Sequence, residues 1–154
     1  MDLYLNSIRV GQRGSDIDHL VIGPAGVFTI NTEHHPRARI WVAGNTLIVN
    51  GTHQPYVRNS RHEARRASRL LSAAVQTDVV ATGIIVPVGA QSFTVGEHPE
   101  DVLVIDRKRL VRLLTSLPEI LRPDTVDYLF GRARISSTWL ESPARPRPSR
   151  TLRS

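Results

Sequence analysis

The first third of the chain alternates short apolar runs with turn signals at a spacing that suits strands. Leu3 to Val10 alternate loosely and end in the turn-rich run Gly11 to Ser15, as an entry strand does. His19 to Gly23 is a second apolar run. The turn signal Gly23-Pro24-Ala25-Gly26 separates it from a third, Val27 to Ile30, which predicts a β-hairpin with a four-residue connection. Arg39 to Val42 and Leu47 to Val49 flank Ala43-Gly44-Asn45 and predict another hairpin, closed by Asn50-Gly51. The pattern so far is an antiparallel meander.

The period then changes. Ser60 and Glu63 have the spacing of a capping box, and Ala64, Ala67, Leu70, Leu71, Ala74 and Val75 share one helical face. Arg58, Arg61, Arg65 and Arg69 gather on roughly the opposite face. Val79 to Val88, rich in β-branched residues and interrupted by Gly83, predicts a buried strand. Asp101 to Ile105 predicts another, with Asp106 as N-cap of a helix running through Leu117. Beyond Pro118 and Pro123, Asp124 to Arg132 predicts a last helix ending at Gly131. This order predicts an α/β (α+β) fold, a mixed central sheet with an antiparallel meander flanked by helices. The expected domain is 1–141. The Pro, Arg and Ser content from Ser142 onward cannot build a core, so 142–154 is expected to be a disordered tail.

Composition narrows the class. A chain of 154 residues suits one domain with a single core. It has no cysteine, which excludes disulfides and thiolate metal sites. With no basic leader followed by an apolar run and no membrane-length apolar stretch, the expected setting is the cytoplasm, with no membrane partner. The formal charge of +6 suggests nucleic acid until its location is considered: Arg145, Arg147, Arg150 and Arg153 lie in the acid-free tail. Without them sixteen basic residues face fourteen acidic ones, a mildly basic domain.

Candidate chemistry sits at the ends of the first hairpin. Asp16 and Asp18 are two apart, so in an extended chain they point the same way, and Asn31 and Glu33 repeat that spacing on the partner strand. Closing the hairpin brings these ends together and lets oxygen ligands converge as a hard divalent cation requires. Polar residues that merely cap strand ends in solvent give the same spacing. His34 and His35, with His19, could suggest a transition-metal site, but adjacent strand residues point to opposite faces and no second close pair occurs. The arginine stripe could track a phosphate backbone or be the solvated face of a packed helix. Trp41, Tyr56, Tyr128 and Trp139 are few and scattered, without a stacking platform, and core packing is expected for them.

The run Asp16 to Thr32, with Arg39 to Gly51 and Gln54 to Leu71, resembles the nuclease-related domain, NERD, assigned to the PD-(D/E)XK nuclease-like superfamily. The resemblance implies a restriction-endonuclease-like core and a DNA nuclease dependent on Mg²⁺ or Mn²⁺. It matches Asp18 to the metal-binding aspartate, Asn31 to the second acidic position and Glu33 to the catalytic lysine, with Asp16 and His19 flanking. Asn31 offers only a neutral oxygen, and Glu33 reverses the charge that would stabilise a developing phosphate anion. A working variant would use Asp18, Asn31 and Glu33 as ligands and a metal-bound water as nucleophile. The resemblance also implies an N-terminal helix carrying a glutamate; this sequence begins almost at the first strand, so the expectation is that the helix is either cut off or absent. It suggests polar contributions from Asn59 and His62 near the helix start. The expected function is a nuclease-related domain with impaired hydrolysis. The alternative is a non-catalytic nucleic-acid-binding or protein-interaction module using the Arg-rich helix and tail.

Overall fold

A computed structural model describes residues 19–140 and the backbone of the strand at 6–8. The parts of the entry strand outside 6–8, Asp16, Asp18 and the tail from 142 onward lie outside the described residues. Strands β1 (Asn6–Ile8), β2 (His19–Gly23), β3 (Gly26–His34), β7 (Ala81–Val88) and β9 (Val102–Val104) form one sheet in the order β1-β2-β3-β7-β9. β4 (Arg39–Ala43), β5 (Thr46–Val49), β6 (Thr52–Gln54) and β8 (Ser92–Glu97) form a second, ordered β6-β5-β4-β8. Both sheets are mixed: β2/β3 and β4/β5 are antiparallel, whereas β3/β7, β7/β9 and β4/β8 are parallel. The two expected hairpins form, each in its own sheet. Both turns are tighter than the spacing implies: Gly23 pairs with Gly26 across Pro24 and Ala25, and Ala43 pairs with Thr46 across Gly44, whose φ of 59° is left-handed.

Three helices cover the sheets: α1 (Tyr56–Val75), α2 (Arg107–Ser116) and α3 (Pro123–Ala133). On one face of the first sheet, Ala67, Leu71 and Val75 of α1 and Val126, Leu129 and Ala133 of α3 pack on Leu20, Ile22, Val27 and Ala81. On the other, Leu114 of α2 packs on Val21, Phe28, Ile30, Ile84 and Val86. The second sheet turns Ile40, Val42, Leu47 and Val49 onto Val57, Ile85, Val102 and Val104. β7 is thus covered on both faces, which is why it reads as a nearly continuous apolar run. None of the described helices is long and apolar enough to cross a membrane.

Differences from the sequence reading have physical causes. α1 starts at Tyr56 behind Pro55, with no side-chain cap, so Ser60 lies one turn inside the helix and is not a capping residue. Burial decides this: Val57 and Ser60 are both fully buried, and the apolar face extends further toward the N-terminus than Ala64 indicates. α3 runs through Gly131 to Ala133, because Val126, Leu129 and Ala133 continue the buried stripe across the glycine. Strand β8 escapes recognition since Ser92 to Glu97 carries only two apolar residues, Phe93 and Val95, at an edge of its sheet. Asp106 caps α2 as expected, its carboxylate accepting from the backbone N–H of Lys108 and Arg109 at 2.7 and 3.2 Å. Trp139 is core-packed and donates to the Ala133 carbonyl, but Trp41 and Tyr128 are 48% and 55% exposed, contrary to the expectation of burial.

Helix α1 comes close against β7 at Gly83. A Cβ there would collide with the Ser60 hydroxyl and stand 3.1 Å from the Ser60 carbonyl oxygen. Gly83→Val is therefore expected to lower stability by about 1–3 kcal/mol through overpacking. The Ser60 hydroxyl is buried and has no hydrogen-bond partner among the described residues. Ser60→Ala should accordingly leave stability within about 0.5 kcal/mol of wild type or raise it, where loss of a true cap would cost about 1 kcal/mol. Urea unfolding of the two variants reads both values.

Candidate active site

Among the described residues His19 pairs with Ile30, and Asn31 to His34 run in register with Ile85 to Val88 of β7. Strand alternation then sends Asn31 and Glu33 to one side, the side that α1 covers. Asn31 is 8% exposed, and its amide nitrogen donates to the Glu63 carboxylate at 2.6 Å. Glu33 is partly buried and accepts from the Tyr56 hydroxyl. Tyr56, Asn59 and Glu63 lie three and four residues apart on α1, so they share one side of the helix. Together with Thr32 and Ile85 these groups line a cavity of about 300 Å³.

The hydroxyl of Tyr56 also lies 2.9 Å from His35 Nε2, with the two rings inclined at 33°. Because the phenolic proton is given to Glu33, the imidazole must supply its own Nε2–H to the phenol oxygen. The result is a chain from His35 through Tyr56 to Glu33. Burial, the negative charge of Glu33 and the hydrogen bond to it together push the Tyr56 phenol above its ordinary value of 10.0. Tyr56 therefore stays neutral at physiological pH, a donor that holds the Glu33 carboxylate.

The structure brings together Asn31, Glu33 and Asn59 from the sequence reading. Asp16 and Asp18 lie outside the described residues, and exposed His62 does not line the cavity. The histidines are spread apart: His19 faces Ile30 in register, His34 is exposed at the strand end, and His35 is engaged by Tyr56. Among the described residues no three His, Asp or Glu side chains converge as a ready metal cage. Glu63 and Tyr56 are the site residues that sequence reasoning missed, one taken as a capping residue and the other as core. The readable signal was their shared helix side with Asn59.

The arginine stripe lies elsewhere. At about 100° per residue, Arg58, Arg61, Arg65 and Arg69 centre on the side of α1 away from the core and turned from Tyr56 and Glu63. Arg58, Arg65 and Arg69 are exposed. Arg61 is committed to Asp101, with Nε 2.7 Å from Oδ1, and to the Asn45 side-chain oxygen.

The model of the nuclease-related domain matches residues 2–89, more than half of the chain. The chain belongs to the NERD family. The match covers both hairpins, α1 and all of β7, so every residue of the cavity falls within the NERD segment. Comparison with curated proteins and with solved structures gives no match.

Removing the phenol isolates its titration. In a spectrophotometric difference titration of wild type against Tyr56→Phe, the missing component should lie above pH 10.0, with the alkaline shift reduced in Glu33→Gln. The folded-state value is raised, so the associated stability is complete below the unfolded value and is lost as pH climbs through the folded one. Tyr56→Phe should flatten stability in that alkaline window.

Proposed function

We propose that this NERD chain is a cytoplasmic domain descended from a metal-dependent DNA nuclease, in which phosphodiester hydrolysis is impaired. One observation carries this reading: among the described residues the cavity is lined by the carboxylates of Glu33 and Glu63 and by no lysine or arginine. A phosphodiester approaching it meets two negative charges. Nothing in the lining replaces the lysine that would orient a water and stabilise the charge developing on phosphate.

The donor atoms nevertheless suit a hard cation such as Mg²⁺ or Mn²⁺. The carboxylates of Glu33 and Glu63 and the amide oxygen of Asn31 are all oxygen ligands. Asp18 is the further candidate ligand, carried over from the family motif. Bound there, the ion would polarise a phosphodiester and acidify a coordinated water. The chain's own groups have other roles. Asn31 fixes Glu63 through its amide, and Tyr56 fixes Glu33 through its hydroxyl. Both carboxylates are thereby held in fixed orientations, with lone pairs already engaged by neighbouring donors.

A second reading is a non-catalytic nucleic-acid-binding module. It is favoured by the exposed guanidinium groups of Arg58, Arg65 and Arg69, which face away from the acidic cavity. On that view DNA is held by the helix without being presented to the site.

Incubating plasmid and single-stranded DNA with Mg²⁺ or Mn²⁺ tests both. Glu33→Lys is expected to cleave about 100-fold faster than wild type or more, and Asp18→Ala in that background should abolish the gain. Robust wild-type cleavage that disappears in Asp18→Ala and is not improved by Glu33→Lys overturns the impairment. If Glu33→Lys is also inert while Arg58→Glu/Arg65→Glu abolishes DNA binding, the second reading replaces the first.

A further inference from the structure

The outer face of the second sheet carries a feature that neither the cavity nor the arginine helix uses. Its inner side chains are buried against Val57 and Ile85, while Arg39, Trp41 and Ala43 of β4 all point outward and are exposed. Strand register places Trp41 opposite Ile48 on β5 and Thr94 on β8, and Ile48 opposite His53 on β6. A row His53, Ile48, Trp41, Thr94 therefore crosses all four strands with the tryptophan near its centre.

The indole is seated as well as exposed. A Cβ added to Gly96 would stand 2.8 Å from Trp41 Cζ2, 3.2 Å from Cε2 and 3.4 Å from Nε1. Only glycine lets the ring lie this close to β8, so Gly96 acts as a rest for it. Trp41 is left 48% exposed. An indole fixed on one side and open on the other presents a preformed π-surface, which costs little conformational entropy when a second ring stacks on it.

The surrounding charge selects the occupant. Arg39 lies two residues along β4 on the same face, His53 ends the row, and Glu97, beyond the bulge at Val42/Ala43, is the acid that closes the far end. Past the β8 edge, on the core-facing side of that strand, a cavity of about 500 Å³ is lined by Phe93 and Val95 together with His98 and Arg109. The carboxylate of Asp106 at that cavity is committed to capping α2, whose first turn is Arg107, Lys108 and Arg109. A flat aromatic seat with the Arg39 guanidinium on the same face fits a chain that alternates planar rings with phosphates.

We propose that the outer face of β6-β5-β4-β8 binds single-stranded nucleic acid, with a base stacked on Trp41 and its backbone phosphates drawn toward Arg39. Unpaired bases are required because a duplex buries its ring faces in its own stack. The choice of nucleic acid rests on the reading of this chain as a nuclease-related domain. The surface itself is independent of whether the cavity cuts.

Fluorescence anisotropy with labelled oligothymidylate of about 15 residues tests the assignment, a length that such surfaces span. Wild type should bind the single strand more tightly than a duplex of equal length. Trp41→Ala should weaken single-strand binding roughly 10-fold or more, Trp41→Phe should restore much of it, and Arg39→Glu should weaken it and reduce its salt dependence. Circular dichroism melts of each variant confirm folding, and Arg58→Glu/Arg65→Glu reports the helix separately. Binding by wild type that Trp41→Ala leaves unchanged overturns this inference and leaves the nucleic-acid reading standing. No binding of either oligonucleotide overturns both. Concentration-dependent self-association that Trp41→Ala abolishes also overturns the inference, by making the face a contact between copies.

Discussion

Helix α1 can settle on the sheet only as deeply as Gly83 allows. The missing side chain on β7 admits the Ser60 backbone, and that contact sets the height of the whole helix over β3. Everything in the cavity depends on it, because Tyr56 and Glu63 reach Glu33 and Asn31 from the turns either side of Ser60. A residue larger than glycine would lift the helix and lengthen a 2.6 Å hydrogen bond that has little slack. Packing at a buried point without chemistry thus fixes the geometry of the polar point beside it.

The polar cluster that results is acidic but not unsatisfied. Each carboxylate has a neutral donor on its own neighbour, Asn31 for Glu63 and Tyr56 for Glu33, and His35 completes the second chain. This is the stable way to bury partly exposed carboxylates without a cation. It differs from what phosphoryl chemistry demands, where donors are aimed at the substrate and not at each other. Asn31 and Glu33 are therefore complementary: the Asn31 amide supplies a donor where a carboxylate would have stood against Glu63, and Glu33 accepts from Tyr56.

Much of this was legible in the sequence. Both hairpins, the buried strand through Gly83, the Asp106 cap and the alternation that puts Asn31 beside Glu33 follow from period and turn chemistry. Ser60 and Glu63 show why the rest was not. Their spacing matches a capping box, and only the depth of burial at Val57 and Ser60 reveals that the helix begins a turn earlier. Trp41 shows a second reason. Strand period alone could not say which neighbours flank it, because Thr94 comes from β8, a strand with too few apolar residues to be recognised and joined by a parallel pairing fifty residues away.

The charges of this domain are sorted by surface, and that sorting constrains any account of what it does. α1 turns Glu63, with Tyr56 and Asn59, to the cavity side and its arginine stripe away from it, with Arg61 fastened to Asp101 and Asn45. A polyanion drawn to the arginines is held where the cavity cannot reach it, since the helix itself stands between them. One drawn to the outer sheet is separated from the cavity by a full layer, in which Ile40, Val42 and Leu47 pack on Val57 and Ile85. Ile85 belongs to both the layer and the cavity wall, so the two surfaces share a rigid core but no common groove. A change of charge at position 33 therefore has no direct bearing on the arginine face of α1 or on the outer face of the second sheet, because the layer of Ile40, Val42 and Leu47 and the helix itself stand between them.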